Sequence, residues 1–214
     1  MTCKAYFTDV AGQWETMRKD FFSTAVRECA CNTAVLRPGQ RAVDVGAGSG
    51  FVTEELVARG LHVVAVDQCA NMLAALARRP FAQGVACRLV TGETLPLKDG
   101  EVDHAFANMY LHHVEDPRTA IAEMARVVGD GGHVVITDLD LHGHDFLLRE
   151  HHDRWPGFRR DDVAAWFRAA GLVDVRVADA VVGDKQCTRC CATSACGEDA
   201  AITVFVASGV KLKM

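Results

Sequence analysis

From Arg41 onward, short apolar runs alternate with stretches whose apolar residues recur at helical spacing. Runs at about 41–46, 62–67, 86–91, 102–107 and 133–138 predict five strands. The helical stretches fall at about 51–59, stopped by Gly60, and at 70–79, ahead of Pro80. A third runs from Asp116-Pro117 to about 128, with proline at its favoured first position, and a fourth covers about 161–170, ending at Gly171. Gly129-Asp130-Gly131-Gly132 reads as the turn into the fifth strand, Val173–Val182 as a sixth strand and Ala201–Ala207 as a last one. Upstream, Met17, Phe21, Phe22, Ala25 and Val26 place a helix over Trp14 to about Cys31, closed off by Pro38-Gly39. Strands alternating with helices require a parallel sheet with right-handed crossovers. The last two strands have no helix between them and should pair antiparallel. The expectation is an α/β fold: a seven-stranded, mostly parallel sheet with one antiparallel strand and helices on both faces.

Length and composition narrow this further. The 214 residues suit one domain, 1–214, with residues 1–36 as an N-terminal helical lid and 184–200 as a Cys-rich hairpin loop. Half the residues are hydrophobic and the net charge is −5, so there is no basic footprint and a nucleic-acid partner is not expected. No apolar run approaches the roughly 18 residues that span a bilayer. The N-terminus lacks a basic region followed by an apolar one, so no signal peptide is read there, and a soluble, cytoplasmic monomer or homodimer without membrane partners is expected.

The candidate chemistry begins at Ala42-Val43-Asp44-Val45-Gly46-Ala47-Gly48-Ser49-Gly50. A buried strand feeding a glycine turn lets the backbone approach a ligand, and the following helix aims its N-terminal N–H groups there. Asp67 closes the next apolar run about 20 residues on, where a carboxylate can hold both ribose hydroxyls. A dinucleotide fingerprint needs a third glycine, but Phe51 or Thr53 occupies that place in the two possible registers. Instead Asp44 precedes the first glycine by two residues, giving D-x-G-x-G-x-G. That pattern resembles the first motif of the class I S-adenosylmethionine (SAM) methyltransferases, which implies a Rossmann-like sheet and SAM as methyl donor. The resemblance continues at Val90–Leu97, where it implies that Glu93, beside Thr94, reads the adenine amino group. Val102–Val114 is similar to the branch containing the ubiquinone and menaquinone C-methyltransferases. Asp138–Gly171 looks like methyltransferase domains joined to arsenic-type repressors. On this reading Gly46, Ala47, Gly48 and Gly50 admit the methionine portion and Asp44 organises donors toward its ammonium group. Asp67 then takes the ribose, Gln68 and Met72 flank the adenine, and Asn108 lies near the methyl group. Three of these residues have an alternative role: Asp44 capping N–H groups of its own loop, Met72 as helix core without ligand contact, and Asn108 closing its turn.

Nine cysteines in a chain expected to stay in a reducing compartment are unusual. Cys187, Cys190, Cys191 and Cys196 cluster between the last two strands, on the edge where a methyl donor would sit. Thiolates suit zinc or trivalent arsenic. A redox-switch disulfide and an unliganded thiol-rich hairpin are the other readings. Cys29, Cys31, Cys69 and Cys87 read as small core residues. His112 and His113 follow strand four, and His113 is the candidate base for a carbon or oxygen acceptor. The functions that follow are methylation of a small molecule, either a thiophilic metalloid such as arsenite or a quinone-like or aromatic C- or O-acceptor. A non-catalytic SAM- or metal-binding protein is the reading from another class.

Overall fold

The computed structural model describes residues 3–21, 23–150, 153–182, 185–186, 189–193 and 199–212. Three helices, α1 (Cys3–Val10), α2 (Trp14–Phe21) and α3 (Ala25–Thr33), precede the sheet. The expected single helix over 14–31 is therefore two, and the segment before Gly12 forms a third, which carries too few apolar repeats to register as a periodic signal. The body follows as β1 (Arg41–Val45), α4 (Phe51–Ala58), β2 (His62–Asp67), α5 (Ala70–Ala77), β3 (Ala86–Leu89) and β4 (Val102–Asn108). Then come α6 (Pro117–Val127), β5 (Val128–Leu139), α7 (Asp145–Glu150), α8 (Arg160–Ala169), β6 (Leu172–Asp179), β7 (Val181–Val182), β8 (Lys185–Gln186), β9 (Arg189–Thr193) and β10 (Asp199–Lys211).

The main sheet has the order β3-β2-β1-β4-β5-β10-β6, with β10 antiparallel to both neighbours and the remaining pairs parallel. This is the expected seven-stranded architecture. Successive residues of β1 face opposite sides. Val43 and Val45 join the core shared with α6 and α8, whereas Ala42 joins the core under α3 and α4. Burial on both faces is why these strands read as near-continuous apolar runs.

Three boundaries differ from the sequence pattern. The Gly129–Gly132 segment is not a free turn but the first part of β5, with a register shift opposite Val102 and His104. A Cβ on Gly132 would lie 2.0 Å from the Asp103 carbonyl, so the glycines there serve close strand approach. The predicted sixth strand divides at the buried Ala180 into β6 and β7, and β7 turns back onto β8. The last strand is longer than expected, and its first residues pair with β9, an eighth strand of the sheet, in the register Ile202–Cys190 and Ala201–Cys191.

Chain order reverses between β1 and β4. From β1 the chain moves outward to β2 and β3, then returns to β4 on the other side. Two loops separate at the carboxyl ends of β1 and β4 and leave a crevice between them, the preferred ligand position in an open α/β sheet.

Candidate functional site

A cavity of about 440 Å³ occupies that crevice. Its floor is the turn after β1, Gly46-Ala47-Gly48-Ser49, with Asp67, Gln68 and Cys69 from the end of β2 and Asn108, Met109 and Tyr110 from β4. Gly46 and Gly48 adopt left-handed conformations with φ of 69° and 54°. A Cβ on Gly46 would come within 2.5 Å of the Tyr110 ring, so the turn accepts no side chain there without moving a wall of the cavity. The Asp67 carboxylate ties the loop down. Its Oδ2 accepts from the Gly48 N–H at 2.8 Å and its Oδ1 from the Cys69 N–H at 2.7 Å. Burial raises the Asp67 pKa above the ordinary carboxylate value, against the pull of backbone hydrogen bonds from Cys69, Gly48 and Gln68.

The other expected donor residues divide into two groups. Ala47, Gln68, Met72, Glu93 and Asn108 line the cavity together with Gly46, Gly48 and Asp67. Glu93 is also engaged nearby, its Oε1 accepting from the N–H groups of Glu115 and Asp116 at 2.8 Å each. Asn108 Oδ1 accepts from the Thr137 hydroxyl at 2.7 Å, which fixes its amide. Asp44, Gly50 and Thr94 are not among the lining residues. Asp44 is buried and its Oδ2 accepts from both the N–H (2.9 Å) and the hydroxyl (2.6 Å) of Thr53 in the first turn of α4. These bonds hold the helix against the end of β1, a capping role like the alternative one but on α4 rather than on its own loop. Burial lifts its pKa to about 6 despite those bonds. Gly50 has φ of 96°, and a Cβ on it would meet Phe81 at 2.9 Å and Leu76 at 3.0 Å, so it serves packing against α5. Thr94 is exposed, one step past Glu93.

The N-terminal helices cover the cavity. Tyr6 and Phe7 of α1 and Trp14 and Arg18 of α2 line it. The Phe7 ring meets Trp14 and His113 edge-on, each at 5.2 Å between centroids. The Ser49 hydroxyl donates to Glu15, which also pairs with Arg18 (3.1 Å) and Arg79 (3.2 Å), so α2 is tied to the glycine turn by a hydrogen bond and to the segment after α5 by an ion pair. Burial disfavours the Glu15 carboxylate, but Arg18, Ser49 and Arg79 outweigh it and keep the pKa below its ordinary value. Cys69 is buried and lines the cavity, with Sγ 3.6 Å from the Thr8 hydroxyl of α1. Cys29 and Cys31 are buried as expected, and burial raises the Cys31 thiol to about 12. Cys87 is exposed instead, because β3 is the edge strand of the sheet.

Both histidines of the pair line the cavity, together with Asp153. Asp138, at the end of β5, is wholly buried and accepts from the N–H groups of Tyr110 (3.1 Å), Leu111 (2.8 Å) and Leu139 (2.8 Å). It also receives His112 Nδ1 at 2.6 Å. Burial alone would lower the His112 pKa, but Asp138 and Asp153 reverse the effect and raise it to about 9. Sequence reasoning named His113 and missed Asp138 and Asp153. An acidic residue ending an apolar strand, as Asp138 does, was the available signal. Of the expected metal ligands, Cys187 and Cys196 lie outside the described residues. Cys190 and Cys191 are placed on β9, whose backbone packs near α2.

Residues 43–136 match the family described as methyltransferase domain. An uncharacterized methyltransferase of Mycobacterium tuberculosis is 47% identical over 93 residues, covering 44% of this chain and 37% of the relative. The demethylmenaquinone methyltransferase of Renibacterium salmoninarum is 33% identical over 139 residues, 63% of this chain and 57% of the relative. The chain therefore spans well under two thirds of these relatives' length. Among solved structures, the SAM complex of phosphoethanolamine N-methyltransferase 2 from Haemonchus contortus superposes with a TM-score of 0.69 at 15% identity, over 87% of this chain and 52% of that one. No helix among the described residues is long and apolar enough to cross a membrane.

Proposed function

We propose that this chain, whose fold and matched domain are those of a class I SAM-dependent methyltransferase, moves the methyl group of SAM onto a small quinone-like or aromatic acceptor. The observation that carries the reading is the Gly48–Asp67 hydrogen bond, which sets a side-chain-free turn and a carboxylate on one wall of the cavity. The group fits these residues. Gly46 and Gly48 leave room for the methionine portion, and Asp67 has the acceptor oxygens for a ribose diol. Met72 and Gln68 present the faces an adenine ring packs on, with Glu93 at its edge. Bound there, SAM supplies a methyl carbon activated by an adjacent sulfonium. Asp44 contributes from behind, by fixing α4 and the turn. The lid residues Phe7 and Trp14 exclude water, and the cavity aligns nucleophile and methyl for in-line attack, the main requirement of such a transfer.

The acceptor end is the His112–His113–Asp153 wall. His113 stands there as the group that takes the acceptor's proton, and the likeness to a demethylmenaquinone methyltransferase supports an oxygen-bearing ring as acceptor. Trivalent arsenic is the second reading. It is favoured by the position of Cys190 and Cys191 on β9, paired with the part of β10 that projects past the end of β5 at Leu139. For arsenic the lone pair attacks without a base. Calorimetric titration with SAM, S-adenosylhomocysteine and NAD tests the donor: the first two should bind and NAD should not. Binding of NAD with no response to SAM would overturn it. Labelled SAM offered with hydroquinones, phenols, thiols and arsenite then identifies the acceptor. Turnover with arsenite that is lost in Cys190→Ser/Cys191→Ser would favour the second reading over the first.

A further inference from the structure

One part of the cavity lining brings three potential ligands to one point. His112, His113 and Asp153 each present a ligand atom, and all three atoms lie within 4.8 Å of one another. Asp153 Oδ1 is 3.8 Å from His112 Nε2 and 3.7 Å from His113 Nδ1. Those separations are too long for direct hydrogen bonds. They are close to the spacing of groups that share a third atom: metal–ligand bonds of about 2.1 Å in a tetrahedron put ligands about 3.4 Å apart.

The orientation of each group is fixed from outside the cluster. His112 Nδ1 is bound by Asp138 at 2.6 Å, which leaves Nε2 for the cluster, and three backbone N–H groups hold Asp138 in turn. A carboxylate behind an imidazole is the arrangement that sets the tautomer and raises the basicity of a ligating histidine. Asp153 is clipped to the histidine turn by its own strand of chain. The N–H groups of Arg154 and Trp155 donate to the His112 carbonyl at 2.8 and 3.2 Å, and Trp155 Nε1 donates to the Val114 carbonyl at 3.0 Å. Phe7 packs edge-on against the His113 ring and limits its rotation. Asp153 and His112 are buried, and all three residues line the cavity.

We propose that His112 Nε2, His113 Nδ1 and an Asp153 oxygen bind a first-row divalent cation of the zinc class, with Asp138 as the positioning residue. Two imidazoles and one carboxylate leave coordination positions free. Those positions face the cavity, and their use rests on the methyltransferase reading above. An acceptor oxygen bound there loses its proton to solvent under the pull of the cation. Its lone pair then forms the bond to the methyl carbon while the electrons of the broken carbon–sulfur bond return to sulfur. His113 is then a ligand rather than a free base, and the acceptor is one that chelates or binds through an anionic oxygen.

The test uses the whole chain stripped with a chelator, carrying Cys190→Ser/Cys191→Ser, and titrated with Zn(II) alone by calorimetry and with Co(II) by absorption. One ion per chain should bind, and the cobalt spectrum should lack a thiolate charge-transfer band. Asp138→Asn should weaken Zn(II) binding about 10–100-fold. Asp153→Asn and His113→Ala should weaken it at least as much, with far-ultraviolet dichroism confirming that each variant is folded. Absence of binding, a persistent thiolate band, or unchanged affinity in both Asp153→Asn and His113→Ala would overturn the site. SAM is titrated separately into the same stripped protein. Zn(II) binding without SAM binding removes the methyltransferase reading and keeps the cation site, and the opposite result does the reverse.

Discussion

Replacing Asp67 with alanine isolates the residue on which the proposed donor recognition turns. In the free protein its two oxygens accept from the Gly48 and Cys69 N–H groups, at 2.8 and 2.7 Å, so the substitution has two separable consequences. The first is on folding. Both N–H groups lose their acceptor, but they border a cavity that water can enter, so the cost should sit near the low end for stranded donors, about 1–2 kcal/mol in all. For a domain of this size that is a fall of about 2–8 °C in Tm. The second is on binding. Loss of the ribose partner should cost a further 1–3 kcal/mol, roughly a 5–150-fold rise in Kd for SAM and S-adenosylhomocysteine. Asp67→Asn keeps the size and one oxygen but sets its amide group against a backbone N–H, so it should fall between alanine and the parent. Calorimetry well below the variant's Tm separates the two effects. A folded Asp67→Ala protein that binds S-adenosylhomocysteine with the parental Kd would refute the ribose assignment, whatever its Tm.

Other consequences follow from the same geometry. Gly46→Ala places a methyl group 2.5 Å from the Tyr110 ring at φ of 69°, so it should destabilise by about 1–2 kcal/mol from backbone strain alone and weaken donor binding; denaturant unfolding and calorimetry measure both. His104 is held neutral, its Nδ1 accepting the His133 N–H and its Nε2 facing Gln40, and burial together with His133 lowers its pKa to about 4. Because the folded value lies below the unfolded one, its stabilisation is present above pH 6.5 and lost as pH falls toward 4, up to about 3 kcal/mol. Unfolding of His104→Gln should show a shallower acid slope over that window, and an unchanged slope would clear His104. Thr53→Val removes the 2.6 Å hydroxyl bond to Asp44 at constant volume and should cost about 1–3 kcal/mol by denaturant titration. Amide exchange across residues 6–17 should slow when SAM is added, since Tyr6, Phe7 and Trp14 line the cavity, and equal exchange would leave these helices as ordinary packing.

The sheet was legible because strands buried on both faces leave near-continuous apolar runs, unbroken in Val63–Val66 and interrupted only by Asp44 in Ala42–Val45. The glycine turn was legible because glycine is the residue that adopts its φ values at least cost, yet the motif did not reveal which way Asp44 points. Nothing in the residue pattern separates a carboxylate that meets a ligand from one that caps the next helix, and Thr53 decides it. The Gly129–Gly132 run misled because glycine serves close strand contact as well as turns. The proposed acceptor wall was half visible. His112 and His113 stand out, but Asp138 is marked only as an acidic residue closing an apolar strand, and Asp153 lies in a polar stretch about 40 residues from the histidines, joined to them by tertiary hydrogen bonds.

The position of β10 has a consequence for assembly. It follows β6 in sequence but lies between β5 and β6, so β6 has no sheet neighbour until β10 has arrived. The parallel block from β1 to β5 can zip up from successive crossovers, whereas β6 and the α8 helix packed on it must wait, with an unpaired edge open to other chains. A break in the chain anywhere between Asp179 and Asp199 should therefore leave a collapsed β1–β5 core carrying a detached, aggregation-prone β6 arm. Slow closure by one long antiparallel strand would make the late stage of folding, rather than the nucleotide-type core, the step most exposed to temperature and to chaperones.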